Sequence, residues 1–334
     1  MRKIFTLKTI CFAAALALIT LLTSGWGFLV HKTAHQLAVY ELPGTLQGFF
    51  FHNLDYLEYN APRPDIRRSQ DSTEASKHFI DIDAYGNNAI HELPLKWSAA
   101  VAKYSADTLY KYGYVPYHII YMKEKLTAAF KSGNKDSILF YAADLGHYVE
   151  DAHVPLHTAV NYDGQLTNQK GLHSLWESMV PELEISNYNL STTHKATYLK
   201  KPDEAVWNAV RGAYALLPDV FGKEKEVSAQ FTDAQKYRVQ VRKGKEYKSY
   251  TTEFAKAYAA ALKNTINEQL IRSANLVADF WYTAWVDAGK PDVSKLYTAQ
   301  ADEATSLKQQ LDAFHNNTLI QQHLLRAKEE KSSE

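Results

Sequence analysis

Between Asp144 and Glu177 the chain sets out His147, Asp151, His157, His173 and Glu177 in a pattern that a helical scaffold can use. His147 and Asp151 are four residues apart, as are His173 and Glu177, so on an α-helix each pair shares one face, a turn apart. An imidazole and a carboxylate placed in this way can grip one cation. Pro155 stops the first helix, because proline has no amide hydrogen and disfavours helical backbone at Val154 before it. His157 then lies just beyond the helix end, free to turn toward another ion. Nitrogen and carboxylate ligands without thiolate suit zinc in an open catalytic site better than in a closed structural one. A single histidine or a single i,i+4 pair is usually an ordinary polar contact. Two pairs and a bracketing histidine in one short stretch are much harder to explain by chance.

The 334 residues are enough for one large domain, and the hydrophobic share of 46% allows a sizeable core. Lysine plus arginine and aspartate plus glutamate both number 37, so no net field steers a polyanion to the surface, and any nucleic-acid binding must be local. The 22 tyrosines offer flat faces for stacking.

Residues 1–25 read as a secretory signal peptide. Met1 to Lys3 and Lys8 form a positive start, Ile10 to Leu22 an apolar run too short for a comfortable membrane span, and Thr23 to Gly25 a small-residue cleavage site. Cleavage would leave Trp26 as the new first residue and would remove Cys11, the sole cysteine. An exported, disulfide-free chain fits a bacterial periplasm better than a eukaryotic secretory route. The expected location is therefore periplasmic or secreted, with no membrane span after cleavage.

Helical spacing is expected at 31–42, 45–59, 95–112, 116–132, 137–152, 171–180, 202–217, 251–288 and 298–328. The prolines at 62 and 64 suggest that Asp65 is presented from a loop, and residues 77–83 read as a short extended piece. The Lys/Arg-rich stretch 236–248 ends in what looks like a mobile loop, and 329–334 read as a polar tail. The expected fold is all-α, a single multi-helix domain over 26–328.

Trp26-Gly-x-x-x-His31, Asp65, His78-Phe79-x-Asp81, His147-x-x-x-Asp151, Val154-Pro-Leu-His157 and His173-x-x-Trp-Glu177 together resemble the zinc-dependent phospholipase C / S1/P1 nuclease superfamily. The match runs in order from Trp26 to about Glu182. The resemblance implies an all-α fold holding three zinc ions. Asp65, His78, His147 and Asp151 would hold one. Asp151 would bridge to a second, also bound by His31 and by the amine and carbonyl of Trp26. His157, His173 and Glu177 would hold the third, more open ion. It further implies phosphodiester hydrolysis by a hydroxide that zinc generates from water, with Asp65 and Asp151 in the catalytic centre and no separate side-chain base. In the family pattern the Phe79 position stacks a base and the Asp81 position bonds its edge. Arg67 or Arg68 could contact phosphate, or could be a solvated pair.

Some positions depart from that pattern. Glu150 stands where a glycine usually precedes the bridging aspartate, and could crowd the site or add negative charge. Val30 replaces a glycine before His31. His35, one turn later, reads as a polar surface residue, His153 falls on another helix face, and Tyr148 and Trp176 read as core or site walls. The Trp26–His31 spacing and the 78–81 run are nearer to nucleases acting on single-stranded nucleic acid. Glu177 as last ligand and the lack of cysteine are nearer to phospholipases C acting on phospholipid headgroups. A non-catalytic, metal-binding exported protein is a third reading. No stable protein partner is implied.

Overall fold

A computed structural model describes residues 27–242 and 245–329. The presumed signal peptide, Trp26 and all but the first residue of the presumed tail lie outside them. The described fold is all-α apart from one two-stranded hairpin. Among the described residues no helix is long and apolar enough to cross a membrane.

Four long helices form the frame: α1 (Phe28–Glu41), α4 (Val115–Ser132), α5 (Lys135–Asp151) and α6 (Thr265–Asp287). They pack on one another through a large core that includes Leu37, Phe50, Phe130, Leu145, Trp207, Phe280 and Trp281. Between α1 and α4 run the short helices α2 (Leu54–Asn60) and α3 (Arg63–Arg67), which close one side of the frame. A second apolar cluster, with Val154, Leu156, Trp176, Val220, Phe254 and Tyr258, lies under helices Leu217–Ser228 and Thr252–Leu262. The chain passes from the first core to the second just after Asp151. Ligands on α1, α3 and α5 are thereby fixed by one core and those of the 154–177 segment by the other.

Several expected helices are broken where a single residue cannot continue the spiral. The 95–112 helix divides at Ser105 and the 251–288 helix at Lys263, both with positive φ (69° and 55°), a region that costs energy for a side-chain-bearing residue. The 45–59 helix breaks at Asn53, whose side chain bonds the Phe49 carbonyl at 2.7 Å.

Two expectations are overturned. Asp65 is in helix α3 and not in a loop, because Pro64 falls in its first turn, where a missing amide hydrogen leaves no helical bond unmade. Of the loop expected at 244–249, residues 245–249 are strand, and Gly244 lies outside the described residues. Strand β1 (Tyr237–Arg242) pairs antiparallel with β2 (Lys245–Tyr250), anchored at its base by buried Tyr250 and by Lys236, which reaches buried Glu224 at 2.7 Å. The alternation of Tyr237, Val239 and Val241 with Arg238 and Gln240 carried that signal.

Candidate metal centre

The site grows from α5. Its last turn is buried, so His147 and Asp151 project inward from a rigid element. The Nδ1 nitrogen of His147 donates to the Ala61 carbonyl at 2.9 Å, which leaves Nε2 to take a proton or a metal ion. That Nε2 lies 3.3 Å from Asp151 Oδ2, 3.1 Å from His78 Nδ1 and 3.9 Å from Asp65 Oδ1. His78 Nδ1 is 2.9 Å from Asp151 Oδ2 and 3.5 Å from Asp65 Oδ1. Donors about 2.1 Å from one tetrahedral ion would be roughly 3.4 Å apart. His78, His147 and Asp151 therefore surround a space of the size an ion needs, with Asp65 at its edge.

A second group forms on the next segment. Pro155–Thr158 makes one tight turn, where the His157 Nδ1 bonds the His78 carbonyl at 2.8 Å and turns its Nε2 outward. That atom is 3.1 Å from His173 Nε2 and 3.4 Å from Glu177 Oε2, while His173 and Glu177 approach to 2.5 Å. His173 and Glu177 belong to a helical stretch with a wide π turn at Leu175–Met179, a local distortion frequent at functional sites. Between the two groups sits His31 on α1. Its Nε2 is 4.0 Å from both Asp65 Oδ2 and Glu177 Oε1, and its ring stacks on His147 at 4.1 Å. His31, Asp151 and Glu177 form a third set able to hold an ion, and His31, Asp65 and His147 a further one. Of the expected ligands only Trp26 is outside the described residues.

Charge follows the same geometry. Burial opposes ionisation of Asp151, but His147 and His157 hold its carboxyl well below the usual range, and His173 does the same for Glu177. Burial also opposes charge on His31, yet Glu150 lifts it to about 10, and Asp151 and Glu74 similarly lift His78 to about 9. Clustered carboxylates thus draw positive charge to the centre, as protons or as metal.

Phe79 and Asp81 lie on the extended strip leading away from His78. Ile80 N–H donates to the His157 carbonyl (2.9 Å), Asp81 N–H to Tyr112 (2.8 Å) and Val115 N–H to Phe79 (3.1 Å). The Phe79 backbone and ring press on Gly113, whose φ is +81° and where an added Cβ would come within 2.2 Å of the Phe79 oxygen. Burial, helped by Asp83, raises Asp81 to about 7.

The surroundings correct other expectations. Arg67 is not a solvated residue: it grips Glu74 through two bonds of 3.0 Å and reaches Asp144 at 3.1 Å. Arg68 is half exposed, 3.3 Å from Asp65 Oδ1. His35 is fully buried, not on the surface. Glu150 does not enter the ligand groups but lies behind His31. His153 is buried away from them, bonded to the Val149 carbonyl, and burial lowers it to about 4. Tyr148 and Trp176 are buried walls. Sequence reasoning missed Glu74, which is fully buried and puts Oε1 3.5 Å from His78 Nε2, a charge contact rather than an aligned bond. The spacing Glu74–His78 is i,i+4, the same signal that marked the other pairs.

No family model matches the chain. It is 28% identical over 194 residues to Nuclease S1 of Aspergillus oryzae, an alignment covering 54% of this chain and 62% of that relative. The chain thus spans about three fifths of the length of the curated relative it matches. Together with the ligand order along the chain, this likeness supports a distant relationship to the S1/P1 nuclease superfamily.

Proposed function

We propose that the chain is an exported phosphodiesterase of nuclease type, holding three zinc ions and cleaving single-stranded nucleic acid. The observation that carries this reading is the convergence of imidazole nitrogens on carboxylates. The Nδ1 atoms of His147 and His157 are committed to backbone carbonyls, so their Nε2 atoms are left facing other nitrogens and carboxylates. Such an arrangement needs a proton or a metal ion between its members. With no thiolate among the donors, the set fits zinc with open positions.

Asp65, His78, His147 and Asp151 would hold one ion, Asp151 and His31 with Trp26 a second, and His157, His173 and Glu177 the third. Bound metal would supply an acidified water and positive charge for the phosphate. The chain's own groups do the rest. Asp151 links neighbouring ligand sets, and its fully buried carboxylate keeps them in register. Backbone carbonyls of Ala61 and His78 fix the tautomers of His147 and His157. Phe79 presents a ring for stacking a base. Asp81, with a pKa of about 7, can accept or donate a hydrogen bond at the base edge. Signal removal would free the Trp26 amine, so the precursor would lack a complete site.

The test is hydrolysis of single-stranded DNA, RNA and phosphatidylcholine by the chain starting at Trp26, with and without chelator. Chelator-sensitive release of 5′-mononucleotides supports the proposal. Diacylglycerol release would assign a phospholipase C instead, and zinc binding without turnover of any of the three would refute the nuclease reading.

A further inference from the structure

We infer that Glu150, supported by His35 and Gly146, is a positioning residue for His31. The inference rests on the metal-centre reading above and concerns a carboxylate that belongs to none of the ligand groups. Glu150 and Asp151 are consecutive on α5, so their side chains leave the helix about 100° apart. Asp151 faces the ligands. Glu150 faces α1, where its Oε2 meets the Nδ1 of His31 and its Oε1 lies 2.8 Å from the Nδ1 of His35. All three residues are buried, with at most 3% exposure.

His35 backs the Glu150 carboxylate. Its Nε2 is 3.0 Å from the Ala143 carbonyl, and its Nδ1 is 2.9 Å from the His31 carbonyl as well as beside Glu150. Both nitrogens thus face acceptors, which fixes the ring between α1 and α5. A buried carboxylate without such a partner would be strongly destabilising. Gly146, one turn before Glu150 on α5, makes the room. A Cβ there would fall 2.6 Å from His35 Cε1 and Nε2.

The result is directional. With its Nδ1 hydrogen given to Glu150, His31 turns Nε2 toward Asp65 and Glu177 as the atom that would ligate a metal. A carboxylate behind a ligating imidazole fixes the ring and its tautomer, and losing such a partner typically weakens metal binding by about 10–100-fold. Packing alone does not explain three buried polar groups joined in this order.

The experiment is zinc titration of the parent, Glu150→Gln and Gly146→Ala against a chromophoric chelator, with metal counting and ¹⁵N spectra of the histidine rings in the zinc-loaded protein. Glutamine nearly preserves shape, so folding is retained, and Gly146→Ala acts without touching a ligand. Both variants are expected to weaken one zinc by about 10–100-fold while the others stay within about threefold. In the parent, the His31 signal should report a protonated Nδ1. Unchanged affinities in both variants, or equal weakening of every zinc, would overturn the positioning role. A parent that binds no zinc would overturn the metal-centre reading itself, and this inference with it.

Discussion

Asp151→Asn is the sharpest single test of the candidate centre. The carboxylate is 1% exposed, 2.9 Å from His78 Nδ1 and 3.3 Å from His147 Nε2, and it belongs both to that group and to the one containing His31 and Glu177. The amide keeps the shape and removes the charge. A unit charge about 4 Å from a partner is worth about 4 kcal/mol at an effective dielectric of 20. Allowing for some relaxation, about 3–4 kcal/mol should be lost, which is roughly two to three orders of magnitude in affinity. Because both groups share the carboxylate, two ions should weaken together, while the one at His157, His173 and Glu177 is kept. Native mass spectrometry at limiting zinc would read the stoichiometry, and hydrolysis of a small phosphodiester would read turnover, expected to fall about a thousandfold or more. Full zinc occupancy at parental affinity, with parental turnover, would refute the bridging role.

Three further outcomes follow from other parts of the site. Phe79→Ala should raise KM for single-stranded DNA by about 5–150-fold, the equivalent of roughly 1–3 kcal/mol of stacking, with zinc content unchanged; an unchanged KM would remove Phe79 from the substrate path. Gly113→Ala places a Cβ against Phe79 at a φ reserved for glycine, and should cost on the order of 1–3 kcal/mol in urea unfolding while also raising KM. In the metal-free protein, His31 near 10 and His78 near 9 stabilise the fold fully below about pH 6.5, and this is lost as pH rises through 9 to 10. Chelator-treated protein should therefore lose urea resistance from pH 6.5 upward, by at most about 1.4 kcal/mol per pH unit for each histidine. Zinc affinity should climb over the same range, and a flat profile in both would contradict the charge pattern.

Two of the candidate ligand pairs could be picked out from spacing because four-residue separations on a helix are geometry in themselves, whereas Trp26, His31, Asp65 and His78 rested on the family resemblance. His147 with Asp151 and His173 with Glu177 meet as expected, at 3.3 Å and 2.5 Å. The π turn within the second pair could not be foreseen, since it reflects how the segment settles on Leu175 and Trp176 in the second core. His35 was misplaced on the surface because a histidine one turn from a ligand gives no hint of a carboxylate arriving from α5, more than a hundred residues later. Arg67 was misjudged for the same reason: Glu74 and Asp144, which hold it, come from two other segments. The hairpin was missed because a run rich in lysine and arginine hides the period-two alternation of Tyr237, Val239 and Val241.

By itself the sequence determined that the chain is helical, where its imidazoles and carboxylates recur at ligand spacing, and which superfamily shares that order. Those are properties of neighbours along the chain, fixed by the 3.6-residue turn and by proline. Tertiary structure decided what the other nitrogens of His147 and His157 bond, which carboxylate faces the clustered imidazoles and which stands behind, and how two separate cores bring the candidate ligand groups together. Those depend on contacts between residues far apart in the chain, whose energies no local spacing encodes.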